Sequence, residues 1–178
     1  ATASPVWTSR PLPELTAPGK YRGLTLVTVI QVNVGERAFG TSAGYGELLL
    51  TIRGEFESEL AALQGDIERI CYELAARDGL TLAIEYEDAF PETRNHPEAV
   101  AKVRAAAAGL GVPLGRLSEP FRASEDFGYF TKRIPGAMFY IGDGPFAPLH
   151  TAGFDFPDGL IAVAADMFMG ILDAAPRA

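Results

Sequence analysis

Two histidines are the only imidazoles in this chain, and they are the first place to look for chemistry. A neutral imidazole is a good ligand for a divalent cation near neutral pH. His150 stands in Pro148-Leu149-His150-Thr151-Ala152-Gly153-Phe154-Asp155-Phe156, between a strand expected to end at Ile141 and a helix expected to start near Pro157. Loops at the carboxyl ends of strands are where α/β sheets bind ligands, so this position nominates His150 as a metal ligand. Asp155 either orients the ring through its second nitrogen or caps the following helix, and the spacing leaves both readings open. His96 lies in Asn95-His96-Pro97 at the mouth of an expected helix; it reads as an exposed neighbour of a cap and is set aside.

The second group is Ser124-Glu125-Asp126, within Phe121-Arg122-Ala123-Ser124-Glu125-Asp126-Phe127-Gly128-Tyr129-Phe130. The plain account of these acids is a helix start, with Ser124 as cap and Glu125 and Asp126 facing the positive end of the helix dipole. No His-x-x-x-His, paired cysteines, serine-hydrolase elbow or phosphate loop is present, so a self-contained metal site, a serine hydrolase and a nucleotide enzyme are all unsupported. Cys71, the single cysteine, falls beside Ile70 in a helical stretch and reads as an inert, buried thiol.

The 178 residues are 48% hydrophobic and 21% charged, an ordinary globular composition. A chain of this size buries about 70% of the surface its unfolded form exposes, so any metal is expected to be functional rather than structural. A net charge of -8 disfavours nucleic acid as a partner, because tracking phosphates needs clustered Lys and Arg. No apolar run approaches the ~20 residues of a membrane span and no signal pattern opens the chain, which predicts no membrane partner and a cytoplasmic location. There is no initiator methionine, and the first residues read like the middle of a longer protein.

The elements that must position these groups follow from periodicity. Residues 1–23 hold Pro5, Pro11, Pro13 and Pro18 and are expected to be irregular. Leu24 to Val34 is dense in β-branched residues and predicts a strand; Glu47 to Arg53 alternates and predicts its antiparallel partner across a glycine-rich connection. Phe56 to Asp78 carries Leu60, Leu63, Ile67, Ile70 and Leu74 at helical spacing, ended by Gly79. Leu80 to Glu87 alternates as a half-buried strand. Strand, strand, helix, strand is a ferredoxin-like unit lacking its first strand and helix. Asn95 with Glu98 suggests a capping box opening a helix to Leu110, followed by an apolar piece at 112–117, a helix from Ser124 to Lys132, a strand from Ala137 to Ile141 and a last helix from Pro157 to Asp173. This αβαβα half alone looks like an incomplete core.

Taken in order, Ala123 to Phe130, Pro135-Gly136-Ala137 with Tyr140-Ile141-Gly142, and His150-Thr151 with Phe154-Asp155-Phe156 resemble the metal-dependent family of aminoacylases, hippurate hydrolases and carboxypeptidases. Upstream, Glu36-Arg37-Ala38-Phe39-Gly40, the strand ending Leu50-Thr51-Ile52-Arg53, the long helix and Phe90-Pro91-Glu92-Thr93-Arg94-Asn95 resemble that family's lid, or dimerisation, domain. The resemblance covers residues 24 to 173. It implies an α+β and α/β architecture: an irregular segment at 1–23, a partial ferredoxin-like lid at 24–90, and the C-terminal part of a zinc-peptidase-like catalytic domain at 91–178.

The resemblance also implies hydrolysis of amide bonds in N-acyl amino acids or short peptides, with two divalent metal ions, zinc being the expected element. His150 would be the last metal ligand; the other ligands and the glutamate that activates water belong to a half that is absent, so the chain alone is expected to be inactive. Ser124, Glu125 and Asp126 would border the substrate, and Arg53 is the lid cation nominated for the substrate carboxylate, with an ordinary surface role as its competitor. One departure stands out: many members carry Asn-Val-Ile-Pro-Asp where this chain has Gly40-Thr41-Ser42-Ala43-Gly44. A homodimer through the lid sheet is expected. The competing reading is a non-catalytic dimerisation or ligand-binding module derived from the same family.

Overall fold

The computed structural model describes residues 15–142, 144, 147 and 149–174. The first part of the expected irregular segment, up to residue 14, lies outside the described residues. The described residues form two compact units that meet in sequence between Glu92 and Thr93.

In the first unit, β1 (Thr25–Val34) and β2 (Gly46–Gly54) pair antiparallel, with Thr25 opposite Gly54 and Val34 opposite Gly46. The register slips between Val29 and Gln31, placing Ile30 on a bulge. The Gly35 N–H donates to the Tyr45 carbonyl at 2.8 Å and closes the long connection. Helix α1 (Glu57–Asp78) then packs on β2. Its apolar stripe behaves as the spacing predicts: Leu63 is fully buried, and Leu60, Ile67, Ile70 and Leu74 are half-buried. Where helix and strand approach, Gly54 leaves room that a Cβ would fill, at 3.0 Å from the Leu60 Cβ. Gly79, at φ 66°, ends the helix in the left-handed conformation, its N–H turned to the Ala75 and Ala76 carbonyls.

The expected strand at Leu80–Glu87 does not form. The segment keeps its alternation, with Leu82 and Ile84 half-buried, but the only sheet among the described residues is the β1–β2 pair. Alternation sets which side chains face inward; a ladder additionally needs a neighbouring strand, and the unit supplies none there. What holds the segment is α1, through the Tyr86 hydroxyl donating to Glu68 at 2.7 Å.

In the second unit, α2 (Pro97–Leu110) and α4 (Gly159–Asp173) pack together around Val103, Ala106, Ala107 and Met167, joined by half-buried Val112, Ala137, Phe139, Ile141 and Ile171. Gly170 is the close point, where an added Cβ would stand 3.2 Å from the Ala106 Cβ. Three expectations are corrected. The helix start is His96 with Pro97 at the first position, and no side chain caps it, so the Asn95–Glu98 box is not made. The helix expected over 124–132 shrinks to α3 (Gly128–Thr131), preceded by a turn. Finally, 112–117 and 137–141 are not paired as strands, again for want of a neighbour.

Candidate active site

His150 occupies a turn at φ 66°, one of two non-glycine residues at positive φ among the described residues, and its side chain is exposed. An L-residue there costs about 1–2 kcal/mol relative to the right-handed region, although histidine tolerates it better than most. The turn is fixed just downstream by the Phe154 N–H donating to the Thr151 carbonyl at 3.1 Å. Asp155 is exposed and, among the described residues, makes no hydrogen bond to the imidazole. Helix α4 begins four residues later with Asp158 at its cap and no side-chain cap bond, so neither role considered for Asp155 is realised.

The acidic group is built differently from a capped helix. The cap of α3 is Phe127, without a side-chain bond, while the Asp126 carbonyl accepts the Tyr129 N–H at 2.9 Å. Capping therefore does not account for Glu125 and Asp126. Glu125 is half-buried, Ser124 and Asp126 are exposed, and Ser124 has an interaction of its own. Tyr140 is the neighbour that sequence reasoning did not assign. Its ring stacks on Phe121 at a centroid distance of 4.4 Å, tilted by 39°. Burial, and secondly the negative charge of Glu125, push its hydroxyl above the usual phenol range. Residues 121–126 and Tyr140 thus form one neighbourhood with an aromatic floor and an acid beside it.

The loop carrying Tyr140 is held by Asn95 and His96. Asn95 bonds Met138 with both ends of its amide, and the His96 N–H donates to the Gly136 carbonyl at 2.9 Å. The His96 Nδ1 lies against the same peptide, 3.2 Å from the Gly136 N–H and 3.4 Å from the Gly136 carbonyl oxygen. His96 is therefore half-buried and engaged rather than an exposed cap neighbour. The only available signal was the Asn-His-Pro order, which does not say what the side chains meet.

Arg53 lies on β2 opposite Leu26, half-buried and with an interaction partner, in the first unit; His150 and residues 124–126 are in the second. The strongest charge cluster of the first unit is elsewhere. Asp66 accepts from Lys20 at 2.8 Å and from Tyr21 at 2.8 Å and pairs with Arg69, which holds its carboxyl down at about 2. Those contacts tie the chain entering β1 to α1. Cys71 is half-buried, and burial followed by Glu68 pushes its thiol up, away from the reactive thiolate.

Among the described residues no three His, Cys, Asp or Glu side chains converge as a metal-binding group. One exposed imidazole is an incomplete donor set, so a catalytic ion does not fit the described residues alone. No helix among them is long and apolar enough to cross a membrane.

The sequence profile of Peptidase family M20/M25/M40 matches residues 12–174. This chain belongs to that family. Curated relatives of the M20 chain include "N-acetyldiaminopimelate deacetylase" of Shouchella clausii, 30% identical over 149 residues, 80% of this chain and 39% of the relative. Another is "Putative amidohydrolase YhaA" of Bacillus subtilis, 27% identical over 143 residues, 77% of this chain and 36% of the relative. Among solved structures, "a putative aminohydrolase from methicillin resistant Staphylococcus aureus" superposes with a TM-score of 0.73 at 22% identity, covering 95% of this chain and 44% of that one. That likeness establishes the mixed α+β fold. The M20 chain spans less than two fifths of the length of these two curated relatives.

Proposed function

We propose that this M20 chain is the lid-bearing and C-terminal part of a metal-dependent hydrolase that cleaves the amide bond of N-acyl amino acids or short peptides. The observation that carries the reading is His150: an exposed imidazole in a left-handed turn, at the point where the chain shares the order of segments of a metal-dependent hydrolase family. Residues in sparsely populated conformations persist where function demands them. In this reading His150 gives one ligand to a pair of divalent ions, most naturally zinc, whose remaining ligands lie outside these 178 residues. A bound ion would polarise the amide carbonyl and acidify water. Within the chain, Ser124, Glu125 and Asp126 border the substrate, and Arg53 is a candidate for its carboxylate.

The names of these relatives agree in type, one a deacetylase and one an amidohydrolase. The second reading is a module for dimerisation or ligand binding without catalysis, derived from the same family. The two separate in one experiment. The chain is produced alone and together with its adjoining coding sequence, and release of amine from N-acetyl and N-benzoyl amino acids is followed with zinc and with chelator. The hydrolase reading expects activity only from the longer polypeptide, lost with chelator and with His150→Ala. No hydrolysis by the longer polypeptide, or full activity in His150→Ala, sinks it.

A further inference from the structure

We draw no further inference here: the strongest candidate, the stacked Phe121 and Tyr140 rings beside the half-buried Glu125 in the second unit, belongs to the site already described.

Discussion

Asn95 grips Met138 with both ends of its side chain: Nδ2 donates to the Met138 carbonyl at 2.8 Å, and Oδ1 accepts the Met138 N–H at 2.8 Å. The amide stands where the peptide group of a neighbouring strand would, and it fixes the segment that carries Tyr140. Each such bond contributes about 1 kcal/mol net. Asn95→Ala should therefore lower the unfolding free energy in urea by about 1–2 kcal/mol, and Asn95→Asp, which keeps the acceptor and loses the donor, by less. Unchanged urea midpoints in both variants would show that the clip is not holding the loop.

The second prediction concerns acid. The Lys20 hydrogen bond first, and Tyr21 second, hold the Asp66 carboxyl at about 2, below the ~3.9 of an unfolded chain. A depressed folded value means a contribution to stability that is present above the unfolded value and lost as pH falls through the folded one. Asp66→Asn should remove that part of the acid limb, so that wild type and variant differ most above pH 4 and converge toward pH 2. Because the Asp66 side chain is 29% exposed, solvent screening keeps the effect at roughly 1 kcal/mol. Parallel acid limbs in the two proteins would contradict the sign.

His150 supplies a third. Its φ of 66° suits glycine, so His150→Gly is expected to stabilise the 178-residue chain by up to about 1 kcal/mol while abolishing any metal-dependent activity of the longer polypeptide. Differential scanning of the variant against His150→Ala gives the comparison. Destabilisation by glycine would mean that the turn is fixed by contacts of the imidazole itself.

The β1–β2 sheet carries the fourth. One edge of β1 pairs with β2, the other has no ladder partner among the described residues, and Ile30, Val32 and Val34 along it are exposed. Long apolar edges invite pairing with a second chain. Sedimentation of the chain should show a dimer, shifted toward monomer by Val32→Lys; a monomer at all concentrations would count against dimerisation through this sheet.

How much of this was legible beforehand depended on the range of the forces involved. The β-branched run at 25–34, the helical stripe from Leu60 to Leu74 and the glycine ending α1 each carry their own cause within a few residues, and they appear where periodicity puts them. Leu80–Glu87 and Ala137–Ile141 have strand-like patterns without strands, because pairing depends on a neighbour that no local pattern provides. The capping box at Asn95 and the cap at Ser124 failed for a related reason: a short polar side chain takes whichever partner the fold brings near, and for Asn95 that partner is Met138.

By itself the sequence determined the family, through the order of short segments spread from β1 to the last helix, and it determined the long elements, through apolar periodicity. Tertiary structure decided what those segments touch: that His96 and Asn95 hold the Gly136–Met138 loop, that Glu125 stands by Tyr140, that His150 sits in a left-handed turn, and that α4 is left with an apolar face in solvent. The contacts of Asn95, His96 and Tyr140 join residues distant in the chain, and only the packed backbone specifies them.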